Sequence, residues 1–266
     1  MFKEFKNFIN SIDKEASLEC KSKGVEAFRF KIWVILLTSA ISILALHYLK
    51  FDSAFNSFLK LFGFTDFVAS SKFYQLYSNL WWSSWHILLF LIVPIFIIKA
   101  VFKENLSSYG WQKGLLFKHW KIYFVAILFL IAFLSWFSYN NRDFANFYPF
   151  YRLAYRSWFD LVAWEILYIA QFVALEFFFR GFIVQGLRVP FGSLSVGVMV
   201  IPYMMIHLPK LWQEATGAIA FGIFLGFLAL KSRTIWGGVL IHISVALTLD
   251  ICAILQTHGL PKTLFP

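Results

Sequence analysis

The chain has 266 residues, of which 60% are hydrophobic and only 14% are charged, and its formal net charge is +10. Soluble domains carry nearly twice that share of charged residues, so the composition excludes an ordinary water-soluble fold around one core. The positive charge does not indicate a nucleic-acid partner. The sequence has no zinc-finger, RNA-recognition or helix-turn-helix pattern, and basic loops beside apolar spans are typical of contact with anionic lipid.

The first thirty residues are predicted to form an amphipathic segment, ahead of a single membrane domain over residues 31–266. Phe5, Phe8 and Ile12 recur at helical spacing, while the lysines fall elsewhere on the helical wheel. This pattern is typical of a helix that lies in the membrane interface on the cytoplasmic side. A partner-binding or loosely ordered tail is the alternative.

The remaining apolar residues occur in long runs, each near the roughly 20 residues that cross a bilayer. They predict an all-α fold, a polytopic membrane helix bundle of about seven to eight transmembrane helices. An eighth span could lie in the aromatic stretch 51–82, which we interpret as interfacial helices because charged residues interrupt it. The predicted spans are Ile32–Tyr48, Trp85–Val101, Tyr123–Phe137, Phe159–Gly186, Leu194–Leu208, Ala215–Leu230 and Ile235–Leu255.

The distribution of Lys and Arg predicts the orientation of these spans. Both residues are more frequent in the segments that share a side with the N-terminus than in the opposite segments. By the positive-inside rule, this bias predicts a cytoplasmic N-terminus. We therefore expect an integral multi-pass protein of the cell (inner) membrane, with the lipid bilayer as its first partner.

A few ionisable residues fall inside predicted spans, where charges are costly and usually face an interior. Glu176 and Arg180 are four residues apart, so they share a helix face and can pair. Such a pair can be functional or purely structural. Glu165, eleven residues before Glu176, is predicted on the same face, either as a partner of Arg180 or as a helix-packing contact.

Three side chains are predicted to lie at similar depth. From Glu176 the helix runs on to a turn near residues 190–193, and the chain then rises about 20 Å to His207. His242 lies about 12 Å into the last span. A carboxylate and two imidazoles at one depth are suitable zinc ligands, or a base and donors around a water. Because a lone membrane histidine is more often a helix–helix hydrogen-bonding group, this interpretation depends on the combination.

Three short motifs in this region resemble those of a known family. Its motifs Glu-Glu-x-x-x-Arg, Phe-x-x-x-His and His-x-x-x-Asn/Asp correspond here to Leu175-Glu-Phe-Phe-Phe-Arg-Gly-Phe182, Tyr203-Met-Met-Ile-His207 and His242-Ile-Ser-Val-Ala246. The family is the CPBP intramembrane proteases, also called the CAAX protease and bacteriocin-processing or Abi family. The resemblance runs from Trp158 to Asp250, within a protease-like core over residues 158–255.

The resemblance implies an intramembrane endopeptidase in which a glutamate and a histidine activate water to attack a peptide bond. Its substrate would be a membrane-associated peptide or a lipidated protein. Carried over by position, the catalytic residues are Glu176, Arg180, His207 and His242. A divalent metal such as zinc, held by Glu176, His207 and His242, is the cofactor that this set could bind.

The chain departs from the family motifs in ways that bear on catalysis. Leu175 replaces the first Glu, the usual base, so Glu176 would take that role from a helix position about 100° away. Ala246 replaces the Asn or Asp that stabilises the oxyanion, a loss that can cost about 10²–10³ in rate. Asp250, one turn further along, is a candidate for partial compensation. Tyr203 replaces Phe, which is a mild change.

Two other functions are compatible with the sequence. A catalytically inactive relative would keep the fold and the Glu176–Arg180 pair and act as a membrane binding or scaffold protein. A small transporter or lipid-handling protein is the third hypothesis, and the lack of a clear inverted repeat argues against it. Peptide cleavage that depends on Glu176 and His207 would distinguish the protease from the inactive relative.

Overall fold

The computed structural model of the chain describes residues 2–24, 26–114, 116–141, 143–209 and 212–266. Its main elements are helices, several of which contain short π-helical or 3-10 stretches. In chain order they are α1 (Phe2–Lys23), α2 (Glu26–Leu49), α3 (Asp52–Leu61), α4 (Thr65–Ala69), α5 (Tyr74–Val101), α6 (Phe117–Asn140), α7 (Trp158–Phe191), α8 (Leu194–Met205), α9 (Trp212–Ser232) and α10 (Trp236–Thr257).

The fold is a polytopic all-α membrane bundle, as the sequence predicts. Within the described part of the chain, six helices are long and apolar enough to cross a membrane, namely α2, α5, α6, α7, α9 and α10. The predicted span Leu194–Leu208 is the shorter helix α8, which contains Pro202. Its 12 residues cover about 18 Å, less than the roughly 30 Å of a bilayer core.

The second span begins earlier than the sequence predicts. Helix α5 starts at Tyr74, whereas the predicted span starts at Trp85. The short helices α3 and α4 do occupy the first part of the stretch 51–82. All the charged residues of that stretch precede Tyr74, so the helix can run through the tryptophans. Its buried Ser83 accepts a hydrogen bond of 2.8 Å from Gln171 of α7.

The chain divides into two compact units. One unit contains the predicted site residues Glu176, Arg180 and His207, and the other contains His242. The first unit comprises Met1–Ala45, Leu89–His119 and Leu175–Gly238, and the second comprises Leu46–Leu88, Trp120–Ala174 and Val239–Pro266.

Helix α1 packs against other elements of the first unit. Ile12 and Ala16 are buried, and the rings of Phe5 and Phe8 make edge contacts with Phe227 of α9. The apolar stripe predicted from the sequence therefore serves in part as a packing face. The location of α1 in the membrane interface stays a prediction.

Acidic side chains of α1 bind the C-terminal end of α7 and the turns that follow α7 and α9. The Glu15 carboxylate lies 3.2 Å from Arg188 and 2.8 Å from Arg233. Asp13 accepts a hydrogen bond of 2.7 Å from the backbone N–H of Ser193. Burial and the nearby charge of Arg188 lower the pKa of Arg233. Glu15 therefore offsets a repulsion between two arginines that face each other.

In the second unit, the N-terminus of α7 is capped by side chains and by the chain's last residues. The Ser157 hydroxyl accepts the N–H of Asp160 at 3.1 Å. The carbonyl oxygens of Thr263 and Leu264 accept the N–H groups of Trp158 and Phe159, both at 3.0 Å. The first N–H groups of a helix have no partner within it, so these contacts satisfy donors that would otherwise be exposed.

The Asp160 carboxylate joins this cap to the surrounding loop. It is fully buried and accepts hydrogen bonds from Tyr151 at 2.6 Å, Arg156 at 2.8 and 2.9 Å and Ser157 at 2.7 Å. Burial and the hydrogen bond to Asp160 raise the pKa of Tyr151. A carboxylate with this many donors is compatible with burial, because each donor replaces water that the charge has lost.

Candidate active site

Helix α7 changes its hydrogen-bonding pattern at Glu176. It is α-helical over Trp158–Glu176, π-helical over Phe177–Gln185 and α-helical again over Gly186–Phe191. A π-helix bonds each carbonyl to the N–H five residues later, and such stretches are frequent at functional sites. The wider turn changes the direction in which the side chains after Glu176 point, so the regular α-helical wheel does not hold there.

A loop packs directly against this π-helical stretch. A Cβ atom on Gly181 would lie 2.7 Å from the carbonyl oxygen of Tyr109, and one on Gly186 would lie 3.1 Å from the Tyr109 ring. The Tyr109 hydroxyl donates to Glu104 at 2.6 Å, and Glu104 also pairs with Lys31 at 2.8 Å. Burial and the bond to Glu104 raise the pKa of Tyr109, so its hydroxyl remains a donor. The two glycines thus allow a hydrogen-bonded loop to support the helix.

Glu176 and Arg180 form the ion pair that their spacing predicts. Nη1 of Arg180 lies 3.1 Å from Oε1 of Glu176, and the two side chains are 1% and 0% exposed. Removing one partner of such a pair leaves an uncompensated charge in a low-dielectric interior, which is strongly destabilising. The pair therefore holds each of its members in place.

Tyr203 of α8 links this ion pair to His207. The guanidinium carbon of Arg180 lies 4.3 Å from the Tyr203 ring centroid, and the His207 ring lies 4.8 Å from the same ring. Nδ1 of His207 is 2.8 Å from the Tyr203 carbonyl oxygen. A carbonyl oxygen can only accept, so this hydrogen bond places a proton on Nδ1 and leaves the basic lone pair of the neutral ring on Nε2.

The remaining predicted residues lie in the second unit. His242 is 6% exposed, and its ring stacks on Phe172 with centroids 5.2 Å apart. Ala246 is buried in an apolar cluster that includes Trp164 and Tyr168. The position where the motif has Asn or Asp is therefore part of the hydrophobic core. The convergence of His242 with the residues of the first unit stays a prediction.

Two further carboxyl groups are buried in the second unit. Asp250 is fully buried, and its Oδ2 accepts a hydrogen bond of 2.6 Å from Trp164. Glu165 lies within electrostatic range of Asp250. Among the described residues, neither Glu165 oxygen nor Oδ1 of Asp250 has a hydrogen-bond partner. Asp250 is the candidate for partly replacing the motif Asn or Asp that is Ala246 here. Its Oδ2 is already hydrogen-bonded to the indole of Trp164, and this bond competes with such a role.

The protein comparisons agree with the motifs. Residues 156–248 match the family model described as Rce1-like, type II CAAX prenyl endopeptidase Rce1-like. This match covers just over a third of the chain and shows what the segment is similar to. The comparisons with curated proteins and with solved structures found no match to the chain. Residues 156–248 are therefore similar to CAAX-type endopeptidases, in a chain with several helices that are long and apolar enough to cross a membrane.

Whether the matched segment can hold a metal ion can be tested on the positions of its donor groups. Within the ranges that the structure describes, no group of three or more His, Cys, Asp or Glu side chains is arranged to hold a metal ion. A three-ligand zinc site is thus not formed by these side chains as they stand. A divalent metal held by Glu176, His207 and His242 stays a prediction, and the reaction proposed below has no step that uses one.

Two residues of the matched segment, Tyr203 and Gly238, contact the candidate site more closely than the sequence indicates. Tyr203 differs only mildly from the motif Phe, yet its ring contacts both Arg180 and His207. Tyr203 lies one turn before His207, so the two side chains share a helix face. This spacing could have indicated that Tyr203 contacts the site. Gly238 lies beside the Glu176 carboxylate. In the sequence, the Gly-Gly pair near the start of α10 is the feature that could have indicated this close approach.

Proposed function

We propose that the chain is an active intramembrane endopeptidase of the CAAX type, in which Glu176 and His207 activate a water molecule. The observation that most supports this function is the continuous series of contacts from Glu176 through Arg180 and Tyr203 to His207, inside the segment that matches the family. The proposed substrate is a membrane-associated peptide, and a prenylated C-terminal peptide fits the family description.

In the proposed reaction, the Glu176 carboxylate accepts a proton from water while the water oxygen attacks the carbonyl carbon of the scissile peptide. Arg180 keeps that carboxylate in place. His207, whose Nε2 carries the lone pair, binds the second hydrogen of the water. When the C–N bond breaks, Glu176 passes its proton to the departing amine nitrogen. The proton that remains on the new carboxyl group is released to solvent, so the products are a carboxylate and an amine. His242 would stabilise the oxyanion, and this role comes from the motif alone.

A second candidate function is favoured by two specific replacements. Leu175 and Ala246 carry no polar group at positions where the family motifs have a carboxyl or an amide, and Ala246 packs in the apolar cluster. A catalytically inactive relative that binds membrane-associated partners would tolerate both. The Glu176–Arg180 pair would then be structural.

Cleavage by protein reconstituted in lipid vesicles tests the first proposal. We expect wild type to cleave a farnesylated peptide that ends in a CaaX sequence, and Glu176→Gln and His207→Ala to reduce the rate at least about 100-fold. Glu26→Gln, which breaks an exposed pair with Arg29, is the matched control and should cleave normally. A wild-type protein that cleaves no peptide, or equal cleavage by Glu176→Gln, would overturn the proposal.

Leu175→Glu separates the two candidate functions. If wild type is inactive and Leu175→Glu cleaves, the native chain is an inactive relative that retains the site.

Metal analysis of the purified protein addresses the cofactor. Bound zinc that is lost in His207→Ala would support the predicted metal, and a metal-free preparation that cleaves peptide would contradict it.

We also propose that the chain resides in the cell (inner) membrane with its N-terminus in the cytoplasm. The basic residues near α1, among them Arg188 and Arg233, support this orientation by the positive-inside rule. A Lys3→Cys variant, in a Cys20→Ser background, can be labelled with a membrane-impermeant maleimide. Labelling in inverted vesicles but not in right-side-out vesicles is expected, and the opposite pattern would refute the proposal.

A further inference from the structure

Gly238 lies in the first turn of α10 and in contact range of the Glu176 carboxylate. A Cβ atom on Gly238 would overlap Oε2 of Glu176 and lie 2.6 Å from its Cδ atom. Oε1 would be 3.3 Å away. The carboxylate therefore occupies space that is open only because residue 238 has no side chain.

We infer that Gly238 is a positioning residue for Glu176, an inference that rests on the proposed function, in which Glu176 is the base. The carboxylate is held from two sides. Arg180 approaches it at 3.1 Å from within α7, and the bare backbone of α10 bounds it at Gly238. The first turn of a helix also carries N–H groups without intrahelical partners and the positive end of the helix dipole, which favours an anion there.

This arrangement gives a physical reason for a base at position 176. Leu175 replaces the motif's usual base, and the side chain of the next residue, Glu176, points in a different direction around the helix axis. A carboxylate that points that way needs room on the facing helix. Gly238 provides the room, and an alanine there would remove it.

Gly192 also faces a carboxylate, that of Asp13, but from a turn with a positive φ, whereas the glycines within helices α8 and α9 do not. Gly222 and Gly226 face the side chains of Tyr203 and Val196, which are ordinary helix-packing contacts. Gly197 and Gly217 have no heavy atom within 4 Å of a Cβ built on them. Gly238 meets the far end of a flexible side chain rather than backbone, so Gly238→Ala should displace the Glu176 carboxylate without blocking folding. Glu176 is fully buried, so the displaced carboxylate stays inside the protein rather than moving to its surface.

A double-mutant cycle on thermal stability tests the contact without requiring activity. We expect Gly238→Ala to lower Tm by about 2–4 °C in the wild-type background and to have no such effect in a Glu176→Ala background. Gly217→Ala, where a Cβ meets open space, is the control and should not lower Tm. An equal loss of Tm in both backgrounds would overturn the inference, whether or not the protein is a protease.

Kinetics test the positioning role. We expect Gly238→Ala to lower kcat about 100-fold with KM changed less than about twofold, because a displacement of about 1 Å at a reacting group costs this much. Glu176→Asp retracts the carboxylate by one methylene, so the double variant Gly238→Ala/Glu176→Asp should be more active than Gly238→Ala alone. Unchanged kcat in Gly238→Ala, or no rescue by Glu176→Asp, would refute the positioning role. If wild type cleaves nothing, the proposed function fails and the Tm cycle still decides the contact.

Discussion

The guanidinium of Arg180 lies over the ring of Tyr203, with 4.3 Å between the guanidinium carbon and the ring centroid. Phe179 meets the same ring edge-on, with centroids 5.1 Å apart. Tyr203 therefore stabilises the cation of the buried ion pair through its aromatic face. The same ring lies beside His207, so the orientation of the histidine and that of the ion pair depend on one side chain.

The aromatic face, rather than the hydroxyl, should carry most of this effect. We expect Tyr203→Leu to reduce the free energy of unfolding by about 2 kcal/mol or more, because a buried cation–π contact is lost along with packing. Tyr203→Phe, which keeps the ring, is the control and should cost much less. Urea unfolding in detergent micelles measures both, and an equal loss in the two variants would show that the hydroxyl is the important group.

The buried ion pair should be strongly coupled. We expect Arg180→Met alone to reduce the free energy of unfolding by about 3–5 kcal/mol, since it leaves the Glu176 charge uncompensated. The double variant Arg180→Met/Glu176→Leu should recover most of that loss. Equilibrium unfolding of the two single variants and the double variant gives the coupling energy. Additive losses would mean that the two side chains do not stabilise each other.

The hydrogen bonds of Asp160 should matter for the second unit. Asp160→Asn turns one acceptor oxygen into a donor that faces the donors of Tyr151, Arg156 and Ser157. We expect a loss of about 3 kcal/mol in the free energy of unfolding, with faster hydrogen exchange in the first turn of α7. Asp66→Asn in α4 is the matched control at an exposed position and should have little effect. No difference between the two variants would contradict the structural role of the network.

The sequence predicts the helical fold and the ion pair because both depend on local patterns. Long apolar runs identify spans whatever their packing, and a spacing of four residues places Glu176 and Arg180 on one face. The predicted start of the second span at Trp85 was wrong, because α5 begins at Tyr74 and runs through tryptophans that the sequence assigns to the interface.

The π-helical stretch and the role of Gly238 could not be predicted. Phe177–Gln185 contains residues that an ordinary α-helix accommodates, and a loop from another part of the chain packs against it at Gly181. The role of Gly238 depends on which side chain of another helix approaches it. Such contacts arise from tertiary packing, on which a single sequence carries no direct signal.

Glu15 should hold α1 in place through two arginines. We expect Glu15→Gln to make α1 more susceptible to limited proteolysis, because Arg188 and Arg233 then lose the one carboxylate that pairs with both of them and only Glu19 remains beside Arg188. Glu26→Gln breaks an exposed pair outside this cluster and serves as the control. Mass spectrometry of the cleavage products locates the site. Equal cleavage rates in wild type and Glu15→Gln would exclude this role.

The docking of α1 should also depend on pH through Glu19. Burial by itself would raise the pKa of Glu19, but the hydrogen bond from Lys23 and the charge of Arg188 outweigh it, so the pKa is lowered. A folded-state pKa below the unfolded one stabilises the docked form above the unfolded pKa, and this stabilisation is lost as the pH falls through the folded pKa. We therefore expect proteolysis of α1 by an acid-active protease to increase as the pH falls below the ordinary pKa of a glutamate side chain. Glu19→Gln should weaken this pH dependence, and an unchanged profile would contradict it.

The N-terminal cap of α7 joins residues that are synthesised at different times. Trp158 and Phe159 leave the ribosome long before Thr263 and Leu264, which accept their N–H groups in the finished fold. During synthesis, these donors must bind water or lipid headgroups instead. The helix that carries the motif glutamate and arginine thus reaches its final N-terminal structure only after the last helix has been inserted.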